Sequence, residues 1–216
     1  MEQGKVKSQH IQADEIQARG RKIIVWIALA MDVTTRLWLA GTVSQHRDRM
    51  LIDRLLQHAR ACCQFVHGLL VSTDGFAAYP KSIARAFREK VKEQVGRGRC
   101  TLEVWPDLCI ATVIKHTQNK RVVEITRKVA RGTQQKAKKL LLLTKGGQEF
   151  NTAFIERLNG TFRERLASLR RKCRHAAARM ETLEAGMYLK GGSSSVQLSE
   201  TSSQTITRPS AKARSS

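Results

Sequence analysis

Hydrophobic and polar positions follow two different periods along this chain, and the changes of period divide it into elements. Across residues 22–44 apolar side chains run almost without a break, except at the polar stretch 32–36. An apolar run with turn-forming Asp and Thr at its centre predicts two antiparallel strands joined by a short loop. The preceding segment IQADEIQA, residues 11–18, can pair with them as a third strand.

Helical and buried-strand patterns alternate through the next part of the chain. Residues 47–63 predict an amphipathic helix, because their apolar side chains recur at helical spacing with Arg and Asp on the other face. The run GLLVSTDG that follows predicts a buried parallel strand ending at Asp74. Residues 76–90 then predict a second helix, with Pro80 near its start, where proline is tolerated.

The segment from about residue 90 to 147 has no clean period, although TLEVWP and CIATVIK within it could each form a strand. We interpret it as a basic insertion. A helical period returns at Asn151, which with Thr152 offers an N-cap. The helix is predicted to reach about residue 180, with a further helical stretch to Leu189. Its apolar stripe follows 3-4-4-3 spacing and comprises Ile155, Leu158, Phe162, Leu166 and Leu169.

Both ends of the chain are predicted to be disordered. Residues 1–10 are polar, and residues 191–216 are rich in Ser and Thr with almost no large apolar side chain, so they cannot offset the entropy of ordering. Residues 11–190 predict one α/β domain, a mixed sheet with flanking helices. The longest uncharged apolar run has nine residues, against roughly 20 for a membrane span. We therefore expect a cytoplasmic protein with no membrane partner.

Charge changes this picture by indicating a partner. The 216-residue chain is 41% hydrophobic, enough to build a core, yet its formal net charge is +21. Residues 1–80 have a net charge of only +3, whereas residues 81–190 have +16. This concentration indicates a groove for nucleic acid, and a set of solvated basic helix faces is the alternative. The five cysteines form no C-x-x-C pair, so a zinc site is not expected.

Three carboxylates are candidates for chemistry: Asp14 in the first strand, Asp74 at the end of the buried strand, and Glu156 on the last strong helix. Functional groups gather at the carboxyl ends of parallel strands, where Asp74 lies. Three carboxylates brought together would repel one another without a cation. Two Mg²⁺ or Mn²⁺ ions would relieve this repulsion and serve phosphoryl transfer. Asp32 is a rival first acid, but its place in a hairpin turn predicts a structural role.

The last helix carries further polar candidates. Glu156, Asn159 and Arg163 are spaced i, i+3 and i+7, so they share one face. A carboxylate for metal, an amide for hydrogen bonding and a guanidinium for phosphate would form one edge of an active site. The basic stretch RRKCR that follows offers phosphate contacts, with a solvated face as the alternative. Its candidate DNA-binding residues are Arg170, Arg171, Lys172 and Arg174.

These segments carry a resemblance to a known family. STDGFAAYP and FNTAFIERLNGTFRERLASLRRKCR, with ADEIQ and VWIALAMDVTTRLWLAGTV, resemble the catalytic domain of the DDE transposases of the insertion-sequence-one family. The similarity covers roughly residues 11–80 and 148–190, with a T-D-G-aromatic strand end and an I-E-R-x-N-x-x-x-R helix in order. It implies a ribonuclease H-like fold, as in retroviral integrases, over residues 11–190. It also implies Asp14, Asp74 and Glu156 as the metal-binding triad, supported by Asn159 and Arg163.

The resulting hypothesis is a DNA transposase that cleaves and transfers the strands of an insertion sequence with Mg²⁺ or Mn²⁺. Its partners would be the element ends and target DNA, bound by a homodimer or higher oligomer on the nucleoid of a prokaryotic cell. A non-catalytic basic nucleic-acid-binding protein explains the charge equally well. An inactive, truncated remnant with a frameshifted C-terminus is the third alternative.

Overall fold

The computed structural model of the protein describes residues 5–19, 24–90, 100–119, 121–166, 169 and 180–203. The strands are β1 (His10–Arg19), β2 (Ile24–Asp32), β3 (Trp38–Ser44), β4 (Leu69–Asp74), β5 (Arg88–Lys90), β6 (Leu102–Val104), β7 (Leu108–Gln118) and β8 (Arg121–Arg131). The helices are α1 (Arg49–Cys62), α2 (Tyr79–Ala86), α3 (Gln134–Leu143), α4 (Ala153–Arg165) and α5 (Met180–Ser203).

Six of the strands form one mixed sheet in the order β3-β2-β1-β4-β7-β8, and β5 pairs with β6 separately. Strands β1 to β3 are antiparallel neighbours, β4 runs parallel to β1 and to β7, and β8 returns antiparallel to β7. Ala13 pairs with Thr73, and Asp74 pairs with Val113. The predicted mixed sheet with flanking helices is confirmed.

The two faces of the sheet are covered by different helices. On one face, Ile11 and Val71 pack with Leu55 of α1 and Ile83 of α2. Helix α1 begins where the sequence predicts, because the Asp48 carboxylate accepts a hydrogen bond from the Leu51 amide at 2.9 Å.

Adjacent strand residues point to opposite faces, so the alternate residues of β1, β2 and β4 meet α3, α4 and α5. Ile16 and Leu29 pack with Ile155 and Phe162 of α4, while Leu70 packs with Leu141 of α3. None of the helices in the described part of the chain is both long enough and apolar enough to cross a bilayer.

The segment interpreted as a basic insertion differs most from expectation. Its strand CIATVIK becomes β7, which pairs directly with β4, and α3 packs against the same sheet. TLEVWP supplies β6, as its composition predicts. Most of the described segment is therefore part of the main fold, because β4 would otherwise lose its partner on that side.

The ends of the chain also differ from the prediction of disorder. The Val6 amide donates to the Cys62 carbonyl at 2.8 Å, and Ser8 is fully buried, so the chain packs against the domain from residue 6. Helix α4 ends at Arg165 rather than near residue 180. Helix α5 continues to Ser203, into the predicted tail, since extending an existing helix avoids the cost of nucleation. Residues 204–216 lie outside the described part.

Candidate functional site

The sheet register brings the candidate acids to one place. Strands β1 and β4 run side by side, with Ala13 opposite Thr73, so the next residues, Asp14 and Asp74, are neighbours at the carboxyl end of β4. The two carboxylates and Glu156 line one cavity of about 480 Å³. Other residues that line it include Arg47, Gly75, Phe76, Lys115 and Thr152. The three acids chosen from sequence thus share a single cavity.

Gln12 positions the helix that carries Glu156. Its side-chain oxygen accepts hydrogen bonds from the amides of Phe154 and Ile155 at 3.1 and 3.0 Å, and its amide donates to the Asn151 carbonyl at 2.8 Å. These bonds fix the first turn of α4 against β1, two residues from Asp14. Gln12 was not predicted from the sequence. The usable signal was its spacing, because a polar residue two positions before Asp14 lies on the same face of the strand.

Burial and nearby charge disfavour ionisation of Asp14. Burial, first, and then the charges of Asp74 and Glu156 raise the pKa of Asp14 to about 6. The buried Asn159 side chain donates a hydrogen bond to Asp14 Oδ2 at 2.8 Å. Asn159, predicted as a supporting polar residue, therefore contacts the acid on the central strand directly.

A fourth carboxylate, which sequence reasoning missed, adjoins the first two. Glu15 offers an oxygen that lies, with oxygens of Asp14 and Asp74, in a group whose members are all within 4.8 Å of one another. Burial, first, and then the charge of Asp74 raise the pKa of Glu15 to about 7. Its position directly after Asp14 gave no periodic signal, because neighbouring strand residues are expected on opposite faces.

Two basic side chains contact the cavity acids. Arg47, from the connection between β3 and α1, forms ion pairs with Asp74 at 3.0 Å and with Glu15 at 3.2 Å. Lys115 of β7 forms an ion pair with Glu156, which also accepts a hydrogen bond from the Thr152 hydroxyl at 2.5 Å. Both basic residues come from segments with no recognisable motif, so no sequence pattern pointed to them.

The other predicted residues lie elsewhere. Arg163 is exposed in the last turn of α4 and is not among the cavity-lining residues. Arg170, Arg171, Lys172 and Arg174 lie outside the described residues.

Asp32, the rival first acid, is buried at the hairpin between β2 and β3. It accepts hydrogen bonds from the Ser8 hydroxyl at 2.5 Å and the Thr35 amide at 2.7 Å. These bonds give Asp32 the structural role that its turn position predicts.

The donor set fits a divalent cation. Carboxylate oxygens are the ligands that Mg²⁺ and Mn²⁺ prefer, and a protein needs to supply only a few of them. Burial, first, and then the charges of Asp74 and Glu156 raise the pKa of Asp14, and the charge of Lys115 offsets only part of this, so a cation would relieve the repulsion among the acids. Asp14, Asp74 and Glu156, with Glu15 adjacent, could therefore hold one or two such ions.

A basic hairpin extends from the cavity. Strand β4 ends at Asp74 opposite Val113, so β7 beyond that point pairs only with β8. We call residues 114–131 the β7–β8 hairpin. Within residues 108–145 the sequence has ten Lys and Arg but only one acid, Glu124. Most side chains of β8 are exposed, as are Lys138 and Lys139 on α3. A nucleic-acid backbone is the partner that such a surface favours.

The fold and the site define an α/β protein with a carboxylate-lined cavity at the carboxyl end of a parallel strand, next to a basic hairpin. No protein-family model matches the chain, and no curated protein sequence matches it significantly. Among solved structures, a similar chain is a piggyBac transposase in a synaptic complex with hairpin DNA, determined by cryo-EM. The two are 10% identical with a TM-score of 0.45, over 94% of this chain and 50% of the other. This chain thus spans about half the length of that transposase.

Proposed function

We propose that this protein is a metal-dependent polynucleotidyl transferase of the DDE transposase type. The observation that carries the proposal is the meeting of Asp14, Asp74 and Glu156, from β1, β4 and α4, in one cavity beside a basic hairpin. The motifs that resemble insertion-sequence-one transposases contain these same three residues. A ribonuclease H-like fold is part of the proposal. It is supported by three antiparallel strands followed by two strands parallel to the first, with the third acid on a helix over that sheet.

In this proposal Asp14, Asp74 and Glu156 hold Mg²⁺ or Mn²⁺. Such ions activate an attacking oxygen and stabilise the leaving oxygen of a phosphodiester. Asn159 orients Asp14 through its 2.8 Å hydrogen bond, and Gln12 keeps Glu156 at the cavity by fixing the start of α4. Lys115, at the cavity wall, supplies positive charge near the scissile phosphate.

The reaction has two steps. Water attacks a phosphodiester at the end of the element, breaks the bond to the 3′ oxygen and leaves a 3′-hydroxyl and a 5′-phosphate. That 3′-hydroxyl then attacks a phosphodiester of target DNA, so one bond forms as another breaks and no external oxidant or energy source is needed. The β7–β8 hairpin and α3 hold the DNA backbone, and a homodimer or higher oligomer in a prokaryotic cytoplasm brings the two DNA partners together.

The proposal is tested by incubating labelled DNA with the full chain in Mg²⁺ or in EDTA. Nicking by the wild type should require the ion, and Asp74→Asn should abolish nicking while DNA binding in EDTA persists. Asp107→Asn is the matched control, since Asp107 is an exposed acid outside the cavity, paired with Lys136. Retained nicking in Asp74→Asn would contradict the mechanism.

A non-catalytic nucleic-acid-binding protein is the second candidate. It is favoured by the ion pairs of Arg47 with Asp74 and of Lys115 with Glu156, which neutralise two of the acids without metal. Under this alternative the wild type binds DNA but gives no nicking in Mg²⁺ or Mn²⁺, and Asp74→Asn behaves like the wild type in every assay.

A further inference from the structure

We propose that Arg47 is a built-in counter-cation of the acid cluster, and that a divalent ion binds at Asp74 only in exchange for the Arg47 guanidinium. This inference rests on the metal site of the proposed function. It assigns a role in ion binding to Arg47, which lies in none of the motifs of the sequence, and to Glu15, which lies in ADEIQ but is not among the predicted ligands.

The geometry places one nitrogen of Arg47 between two carboxylates. Nη2 lies 3.2 Å from Glu15 Oε2 and 3.0 Å from Asp74 Oδ2. The guanidinium carbon also lies 4.4 Å from the centre of the Phe76 ring and 5.2 Å from that of Trp26. Two charges and two aromatic faces hold the group, so Arg47 has a defined position against the cluster.

Glu15 is the reason that Arg47 stays there. Its side chain is fully buried next to the buried Tyr79 hydroxyl, and Oε1 accepts no well-aligned hydrogen bond from the described residues. A buried carboxylate is costly unless it is paired, and Oε2 already has Arg47 as its partner. Glu15 therefore holds the guanidinium on its buried side, while the contact of Arg47 with the partly exposed Asp74 is the one that solvent can reach.

A divalent ion and the Arg47 guanidinium compete for the same oxygen, Asp74 Oδ2. Two cations on Asp74 Oδ2 would repel each other, so a divalent ion that takes this oxygen must separate Arg47 from Asp74. A carboxylate oxygen of Glu15 lies within 4.8 Å of oxygens of Asp14 and Asp74, so Glu15 can add a ligand as the exchange occurs. The apparent affinity for the ion is then the intrinsic affinity multiplied by the fraction of molecules in which Arg47 has left Asp74.

The test measures Mn²⁺ affinity of the full chain by isothermal titration calorimetry. Arg47→Met removes the charge and keeps a stem that packs on the two rings, whereas Arg47→Lys keeps the charge. Loss of one charge-assisted hydrogen bond corresponds to at least about tenfold, so Arg47→Met should bind Mn²⁺ about tenfold more tightly. Arg47→Lys should stay near the wild type. Arg49→Met is the control, because Arg49 pairs with Asp53 on α1.

Circular dichroism checks that each variant folds. If Arg47→Met fails to fold because Glu15 loses its partner, the double variant Glu15→Gln/Arg47→Met contains no unpaired buried charge and should also bind Mn²⁺ more tightly than the wild type. A second readout is the emission of Trp26, measured in a background with Trp38→Phe and Trp105→Phe. It should change on Mn²⁺ binding as Arg47 leaves the Trp26 ring, and change less when Arg47→Met is added.

Unchanged or weaker Mn²⁺ binding in the charge-removing variants would overturn the inference, because Arg47 would then support the site rather than compete for it. If the wild type still nicks DNA in that case, the proposed function stands without the inference. Absence of both Mn²⁺ binding and nicking in the wild type would overturn the two together.

Discussion

The side-chain oxygen of Gln12 accepts a hydrogen bond from the amide of Ile155 at 3.0 Å, joining the central strand to the first turn of α4. The two residues are 143 positions apart in the chain. Because Gln12 precedes Asp14 by two residues and Ile155 precedes Glu156 by one, this bond sets the separation of two candidate metal ligands.

Gln12→Leu should therefore damage stability and activity together. The Phe154 and Ile155 amides would lose their acceptor in a buried setting, which lowers the free energy of unfolding by about 2–3 kcal/mol. Urea denaturation measures this loss, and Mg²⁺-dependent nicking should fall with DNA binding in EDTA retained. Gln17→Leu is the control, because Gln17 is exposed on the same strand. Equal stability of the two variants would show that Gln12 does not fix α4.

Asp14→Asn should stabilise the ion-free protein at neutral and alkaline pH. The pKa of Asp14 is raised to about 6 by burial and by neighbouring acids, so ionising it opposes folding. The stability that its protonation provides is full below about pH 4 and is lost as pH rises through 6. At pH 8 in EDTA the variant should gain roughly 2–3 kcal/mol, measured by urea denaturation.

The same substitution should remove most of the stabilisation that Mn²⁺ gives to the wild type, because a ligand oxygen is lost. Thermal unfolding with and without Mn²⁺ checks this second effect. If the variant is less stable than the wild type in EDTA at pH 8, ionised Asp14 does not oppose folding. If Mn²⁺ stabilises the variant as much as the wild type, Asp14 is not an ion ligand.

His10 should make the protein sensitive to acid. Burial, first, and then the charge of Arg36 lower the pKa of His10 to about 3, and its ring nitrogens lie 3.1 Å from the hydroxyls of Thr144 and Ser72. The unfolded chain binds a proton near pH 6.5 and the folded chain does not, so stability is lost as pH falls from 6.5 towards 3.

The size of this effect is read from a difference between variants. Between pH 8 and pH 5 the wild type should lose about 2 kcal/mol more than His10→Gln, which does not titrate at that position. Using the difference cancels the opposite trend that Asp14 and Glu15 contribute in both proteins. Parallel pH curves for the two proteins would contradict the assignment of a neutral buried His10.

The β7–β8 hairpin and α3 should contact phosphates. Each phosphate that a Lys or Arg neutralises contributes about 0.9 to the slope of log affinity against log salt concentration. Arg121→Ala/Lys138→Ala should therefore reduce that slope by about 2, measured by fluorescence anisotropy in EDTA. Arg54→Ala/Lys81→Ala removes two exposed charges from α1 and α2 on the opposite face. Equal slopes for the two double variants would rule out a phosphate-binding role specific to this surface.

Local patterns in the sequence predicted much of the fold. The break at residues 32–36 gave the β2–β3 hairpin, the apolar spacing gave α1 and α4, and the buried run ending at Asp74 gave β4. These features depend on neighbours within a few residues, where periodicity and turn chemistry act. The same patterns led to the choice of Asp14, Asp74 and Glu156, although they could not give the distances between them.

The sequence by itself determined the excess of basic over acidic residues, the helices and strands with a clear hydrophobic period, and the three motif acids that line the cavity. The tertiary structure decided the rest. It placed β7 and β8 in the main sheet, although β8 is exposed on both faces and so has no hydrophobic alternation to detect. It also brought Gln12 to α4 and Arg47 to Glu15 and Asp74, contacts that depend on strand register and chain crossings rather than on local spacing.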